Sequence, residues 1–344
     1  DAGPDLSNIV GLTFYSPPAV WSHPLLWGAS RAVVWEEFNA SSSPVNNADT
    51  PSGSVSGRKA GAYAYEPTSV AAFQVTNDLI DRGVAVKRAS AAFEDRGRNF
   101  EPGTFIVPAD KSLANELANQ HALDVFAISG APADTVMMKK QSIAVYADEG
   151  TRHALEVLGF EYETVGRSDV NDGAVENYDL FLNRNRSWGG LDDEGRASLS
   201  RFFEAGGDYV GLRSTGIRMA IDAGIIDVDY DAESGNAIVD VEFSATDTVA
   251  GGFLDNDYAF VFTPAWFTRL GAGVVSSAEF VDGDFIVSGF WPLWQDSGAA
   301  GNPVVVHASD GDSDTVLIGL DVTFRGHPEN TFRLLGNAIY NGLD

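Results

Sequence analysis

The chain has no cysteine, only five lysines and no long apolar run among its 344 residues. Without cysteine, disulfide bonds, thiolate nucleophiles and cysteine-ligated zinc sites are excluded. Acidic side chains number 49 against 22 basic ones, which gives a formal net charge of −27. A surface of this sign repels phosphate backbones and anionic lipids, so we expect neither nucleic-acid binding nor membrane insertion.

The composition otherwise fits a globular protein with a sizeable core, since 44% of the residues are hydrophobic. The charged residues are strongly biased, because 32 Asp stand against 17 Glu and 17 Arg stand against 5 Lys. An Asp-rich, Lys-poor balance is typical of a surface hydrated by carboxylates in concentrated salt. We therefore hypothesise a high-salt environment.

Three regions are predicted along the chain. Residues 1–58 read as an irregular lead and linker, because prolines interrupt helix and the stretch Asn39–Gly57 is rich in Ser, Asn, Pro and Gly. Residues 59–140 alternate short strands and helices and predict a small α/β unit. Residues 141–344 predict a second, larger α/β domain.

The larger domain shows buried-type strands separated by amphipathic helices. Strands are predicted at Ser142–Tyr146, Asp179–Asn183 and Tyr209–Leu212, which favours a doubly wound, mostly parallel sheet. The strand-rich stretch Ala237–Phe290 predicts a β insertion. A last strand, Thr315–Phe324, leads into a C-terminal helix.

Several ordered segments also carry a family resemblance from about residue 11 to the C terminus. They are Tyr15 with Trp21 and Pro24-Leu25-Leu26, Phe100–Pro108, Asp148–Gly150 with His153–Tyr162, Phe202–Gly207, Asp247–Phe253, Ala259–Phe267 and Thr323–Leu335. Together they resemble the region that follows the catalytic domain in large bacterial and archaeal zinc carboxypeptidase-like proteins.

This resemblance implies a flavodoxin-like, class I glutamine amidotransferase-like fold for the larger domain. It also implies a peptidase domain before Asp1, and zinc only in that domain. The chain would then be a non-catalytic accessory region of an extracellular or cell-surface protein, packing on the peptidase domain or on another chain.

One literal zinc-binding pattern occurs within the chain. His153-x-x-Glu156, with His307 far downstream, matches the ligand spacing of zinc carboxypeptidases. However, His153 and Glu156 fall in mid-helix, where residues three apart are neighbours without a metal. We favour this metal-free interpretation.

A possible amidotransferase triad is the second candidate site. Class I amidotransferases place a nucleophile on a sharp strand-to-helix turn and present His and Glu after a late strand. Here Ser214 follows the strand Tyr209–Leu212, and His327-Pro328-Glu329 follows the last predicted strand. The usual cysteine is missing, Leu212 replaces the glycine two places before Ser214, and Pro328 can simply start a helix. We favour the structural interpretation and keep a Ser214/His327/Glu329 hydrolase as the alternative.

Two weaker patterns remain. Asp310, Asp312 and Asp314 alternate like the ligands of a calcium loop, but Thr315 stands where an EF-hand requires glycine, so we favour a hairpin turn. The seven tryptophans, above all Trp291 and Trp294, leave a carbohydrate- or peptide-binding module as a further alternative.

Overall fold

The computed structural model describes residues 23–29, 34–47, 51–291, 294–311 and 313–342. Its helices are α1 (His23–Leu26), α2 (Val70–Asp81), α3 (Lys111–His121), α4 (Glu149–Leu158), α5 (Arg167–Asn171), α6 (Asp193–Glu204), α7 (Arg213–Ala223) and α8 (Glu329–Asn341). Short 3₁₀ turns occur at Ala174–Asn177, Trp188–Gly190, Trp294–Asp296 and Phe324–Gly326.

Twenty strands accompany these helices in the described residues. They are β1 (Val55–Ser56), β2 (Ala62–Tyr65), β3 (Lys87–Ala89), β4 (Phe93–Asp95), β5 (Arg98–Phe100), β6 (Phe105–Pro108), β7 (Val125–Ile128), β8 (Thr135–Met137), β9 (Ile143–Tyr146), β10 (Glu163–Thr164), β11 (Leu180–Asn183), β12 (Asp208–Leu212), β13 (Val228–Ala232), β14 (Asn236–Phe243), β15 (Asn256–Val261), β16 (Ala265–Leu270), β17 (Val275–Phe280), β18 (Ile286–Phe290), β19 (Pro303–Asp310) and β20 (Ser313–Ile318).

The larger sheet has a parallel half and an antiparallel half. The parallel half runs β10-β9-β11-β12-β20, which in chain order is the 2-1-3-4-5 arrangement of flavodoxin-like folds. The antiparallel half continues β19-β17-β14-β15, with β18 also paired to β14. The predicted doubly wound α/β fold is confirmed. Most of the predicted β insertion extends the same sheet, whereas β16 pairs with β13 in a separate two-stranded sheet.

The smaller sheet has six strands in the order β1-β7-β2-β6-β3-β8, antiparallel except between β1 and β7. Because β1 pairs with β7, the predicted irregular lead already contains a strand of this sheet at Val55–Ser56. One hydrophobic core lies between the two sheets and includes Phe73 of α2, Phe105 of β6 and Tyr340 of α8. This core therefore crosses the predicted boundary at residue 141.

Local signals in the sequence explain most element ends around the parallel sheet. Asp148 and Asp192 cap α4 and α6, because each carboxylate accepts a hydrogen bond from a backbone N–H of the first turn. Gly159 and Gly224 end α4 and α7 in the left-handed conformation. The strands β11 and β12 are buried along their whole length, as parallel strands covered by helices on both faces require.

One element differs from its prediction in a way that affects the site. The last strand was expected to reach Phe324, but β20 ends at Ile318. Gly319 then passes so close to Ala265 that a Cβ there would lie 2.0 Å from its carbonyl oxygen, and Asp321 turns into the protein. The chain reverses at Arg325, whose φ is 52°. The loop after β20 is therefore a structured segment and not a continued strand.

None of the helices in the described ranges combines the length and the apolar character needed to cross a bilayer.

Candidate functional site

The carboxyl edge of the parallel strands carries a sharp turn between β12 and α7. Arg213 occupies this turn with φ 58°, a left-handed conformation that costs a non-glycine residue about 1–2 kcal/mol. Two glycines let the strand and the helix approach closely. A Cβ on Gly211 would lie 2.8 Å from the Tyr209 ring, and one on Gly216 would lie 2.6 Å from the carbonyl oxygen of Asn183. This sharp turn is the one at which the sequence analysis expected a nucleophile, and here it presents a guanidinium group.

Arg213 is held by a buried carboxylate. Its Nε lies 2.9 Å from Oδ1 of Asp321, a residue that is 2% exposed. The other oxygen of Asp321, Oδ2, accepts hydrogen bonds from the backbone N–H groups of Phe262 (2.7 Å) and Thr263 (2.9 Å). Because the loop after β20 fixes this carboxylate, removing Arg213 would leave a buried charge without its cation, at a cost of about 3–5 kcal/mol.

A second arginine–aspartate pair lies beside the first. Arg184 directly follows β11, and its Nη1 is 2.5 Å from Oδ2 of Asp148. The same aspartate caps α4, because its Oδ1 accepts hydrogen bonds from the backbone N–H (3.1 Å) and the hydroxyl (2.8 Å) of Thr151. Burial lowers the pKa of Arg184, and the positive charge of Arg213 lowers it further, against the opposite effect of Asp148. Arg184 and Arg213 are thus close enough to repel each other.

A third arginine is positioned by the end of β11. Asn183 accepts a hydrogen bond from the backbone N–H of Arg186 and donates one to its carbonyl oxygen, both at 2.8 Å. The Asn183 amide also donates to the hydroxyl of Tyr209 (2.9 Å). The guanidinium of Arg186 lies 5.3 Å from the centre of the Tyr146 ring at the end of β9. Arg186 therefore faces the point between β9 and β11 where the strand order reverses.

The residues of the predicted triad have different surroundings. Ser214 is the second residue of α7, and its carbonyl oxygen accepts a hydrogen bond from the Tyr230 hydroxyl (3.4 Å). His327 follows the 3₁₀ turn after β20, and its carbonyl oxygen accepts a hydrogen bond from the Trp27 indole (3.1 Å). Glu329 is the first residue of α8. In the described part of the chain, no hydrogen bond joins Ser214 to His327 or Glu329, so the triad stays a prediction.

The side chains of His153, Glu156 and His307 each have a different neighbour. His153 packs edge-on against Phe332 of α8, while Glu156 accepts a hydrogen bond from the Tyr162 hydroxyl (3.0 Å). His307 lies on β19 and pairs with Asp247, with 2.8 Å between Nε2 and Oδ2. Over the described ranges, no three His, Asp or Glu side chains are grouped so that they could hold one metal ion. These residues therefore do not fit zinc.

The acidic turn and the tryptophans can also be placed. Asp310 ends β19 and pairs with Ser313 of β20, so the segment is an antiparallel hairpin. Asp314 lies on β20, whereas Asp312 lies outside the described residues. Trp291 is only 3% exposed and its indole donates to Glu233, so it belongs to the core and cannot offer a stacking surface.

The opposite, amino edge of the parallel sheet carries an open cleft of about 710 Å³. Its lining includes Lys140, Ser142, Tyr162, Glu163, Tyr178 and Asp179. Several of these polar groups already bind each other, for example the Tyr178 hydroxyl and Glu163 (2.9 Å). The cleft therefore offers few free polar groups to fix the orientation of a ligand.

The sequence reasoning missed the arginine cluster formed by Arg184, Arg186 and Arg213. A signal was present in the spacing of the glycine. A sharp turn of this kind is expected to have a glycine two places before its central residue, and Gly211 stands in that position for Arg213, whereas Leu212 stands in it for Ser214. Arg184 and Arg186 also directly follow a buried strand in a chain poor in basic residues. The buried partner Asp321 had no such signal, because it was placed inside a predicted strand.

Comparison with known proteins identifies similar folds only. No model of a known family matches the sequence, and no curated protein matches it. A glutamine amidotransferase from Thermotoga maritima is similar, with 10% identity over 59% of this chain and 97% of its own and a TM-score of 0.36. A β-galactosidase from Bacillus circulans sp. alkalophilus shares 11% identity over 59% of this chain but 31% of its own, with a TM-score of 0.40. A cytoplasmic protein from Salmonella typhimurium LT2 shares 10% identity over 62% of this chain and 91% of its own, with a TM-score of 0.40. Function must therefore be argued from the residues of the site.

Proposed function

We propose that the chain is the non-catalytic accessory region of a secreted zinc carboxypeptidase-like protein, packing on the upstream peptidase domain or on another chain. The observation that carries this proposal is Arg213 at the turn between β12 and α7. A guanidinium group paired with a buried carboxylate is not a nucleophile at neutral pH, because arginine keeps its proton. Zinc and peptide hydrolysis would belong to the peptidase domain.

An exposed apolar segment supports a protein partner. Within residues 34–47, Trp35, Phe38 and Val45 are 83%, 67% and 82% exposed. Three large apolar side chains exposed within fourteen residues are available for contact with a partner. The reading frame before Asp1 provides a direct check, since the proposal requires it to encode a His-x-x-Glu motif followed by a distant His.

The non-catalytic part can be tested with the whole chain. We expect neither glutamine nor activated esters to be hydrolysed, and no labelling of Ser214 by a fluorophosphonate probe. The Ser214→Ala variant should match the unsubstituted chain in both assays. Ser200→Ala, at a half-buried serine of α6, serves as the control. Turnover or labelling that disappears only in Ser214→Ala would instead establish the serine hydrolase alternative.

A further inference from the structure

We propose that the carboxyl edge of the parallel sheet binds a small oxyanion, a carboxylate or a phosphate group, where Arg184, Arg186 and Arg213 follow the ends of β11 and β12. This site depends neither on the accessory role proposed above nor on catalysis. It lies beside β9 and β11, between which the order of the strands reverses. This is the position at which open α/β sheets bind ligands.

The local charge balance favours an anion. Arg184 and Arg213 pair with Asp148 and Asp321, and Arg186 adds a third cation, so this edge keeps a positive excess in a chain whose net charge is −27. On the first turn of α4, Glu149 and Arg152 add one charge of each sign. Arg269, by contrast, is held by two carboxylates, Asp227 and Asp229. An anion at the carboxyl edge would supply the balancing charge that the protein itself does not supply there.

The guanidinium groups also have unused donors. Nε of Arg186 is buried and has no hydrogen-bond acceptor in the described protein. Nε of Arg213 is close to Asp321 but does not meet hydrogen-bond geometry with it. Leaving a buried donor unsatisfied costs about 1–3 kcal/mol. An oxyanion would satisfy such donors, because the fork of a guanidinium group matches carboxylate and phosphate oxygens.

The electrostatics of Arg184 and the start of α7 point to the same ligand. The charge of Arg213 lowers the pKa of Arg184, so an anion between the two would relieve their repulsion. The helix α7 begins beside them without a side-chain cap, and its first N–H groups carry the positive end of the helix dipole. Ser214 and Thr215 on that first turn are half-buried, so solvent still reaches them.

The test uses the full chain, with inorganic phosphate and succinate as separate probes at constant ionic strength maintained by chloride. Isothermal titration calorimetry should show saturable binding of at least one probe. Binding of phosphate alone or succinate alone would identify which source of oxyanion the site accepts. If neither probe binds, the proposal is overturned, and water alone satisfies the buried donors.

The variant Arg186→Gln localises the binding. Because Arg186 forms no ion pair in the described structure, its replacement should leave the far-ultraviolet circular dichroism unchanged while weakening the probe at least tenfold. Arg201→Gln, at an exposed arginine paired with Glu176 and Glu194, is the matched control and should leave the affinity unchanged. Equal loss in both variants would show non-specific attraction and would contradict the proposed site.

Discussion

Single residues at the edges of the parallel sheet have environments that local sequence patterns do not reveal. The turn after β12 was predicted from the strand, but its central residue was expected one position too late, at Ser214, although the spacing from Gly211 favours Arg213. The role of Asp321 as the partner of Arg213 could not be predicted, for another reason. Its carboxylate is bound by the N–H groups of Phe262 and Thr263, which lie about 60 residues earlier in the chain, as the sequence separations of 59 and 58 show.

Asp208 gives a residue-scale prediction about pH. Burial raises its pKa to about 7, although the backbone N–H of Asp314 donates to its Oδ1 at 3.0 Å. Because the folded state holds this proton more tightly than the unfolded state, the contribution of Asp208 to stability is greatest below its unfolded pKa, near 4. It is lost as the pH rises to about 7.

The variant Asp208→Asn removes this ionisation. Relative to the unsubstituted chain, its free energy of unfolding should therefore increase between pH 5 and pH 8 by about 1–2 kcal/mol, after allowance for screening by water. Urea unfolding at both pH values measures the difference. Asp222→Asn, at an exposed aspartate of α7, controls for the loss of one surface charge. A constant difference between pH 5 and pH 8 would contradict the raised pKa.

At the scale of elements, the helices and strands whose limits depend on neighbouring residues in the sequence were predictable. The strands β9, β11 and β12 were recognisable as short buried runs, and α4 and α6 had acidic caps and terminal glycines. The early end of β20 and the pairing of β14 with three different strands were not predictable, because both depend on contacts between distant segments. In the site, the strands were therefore expected but the loop that supplies Asp321 was not.

The crossing of α2 and α8 gives an element-scale prediction. Gly336 lies in the middle of α8, and a Cβ there would be 2.6 Å from Cδ1 of Phe73. Phe73 cannot easily yield, because it is fully buried and stacks on Tyr340 with ring centres 5.9 Å apart. Gly336→Ala, which would normally stabilise a helix, should instead destabilise the protein by about 1–2 kcal/mol.

Denaturant unfolding measures this cost, and a double-mutant cycle locates it. Because Phe73→Leu makes room at the crossing, combining it with Gly336→Ala should destabilise the protein by less than the sum of the two single substitutions. A rise in Tm for Gly336→Ala alone would show that the two helices separate without cost.

At the scale of the whole molecule, the acidic surface predicts a dependence of stability on salt. Repulsion among carboxylates disfavours the compact state, and added salt screens it, since the Debye length falls from about 30 Å at 0.01 M to about 10 Å at 0.1 M. Burial raises the pKa of Asp240, and the negative charge of Asp284 raises it further, which is a local effect of the repulsion between carboxylates. We therefore expect Tm to rise steeply between 0.01 M and 0.5 M potassium chloride.

A charge-reduced variant provides the control for salt. Replacing the exposed Asp282 and Asp284 with Asn removes two surface charges, of which Asp284 acts on Asp240, so the variant should have a higher Tm at low salt and a shallower salt dependence. A Tm that does not change with salt in either protein would remove the support for a halophilic surface.

The C-terminal position of α8 has a consequence for synthesis. This helix packs against α2 and α4 and completes the core between the two sheets, while β20 lies in the centre of the larger sheet between β12 and β19. Both elements are synthesised after all the other elements named above, although domains generally fold as their segments emerge. The nascent chain must therefore keep the apolar faces of α2 and α4 uncovered until β20 and α8 have left the ribosome, and its dependence on chaperones should be greatest in that interval.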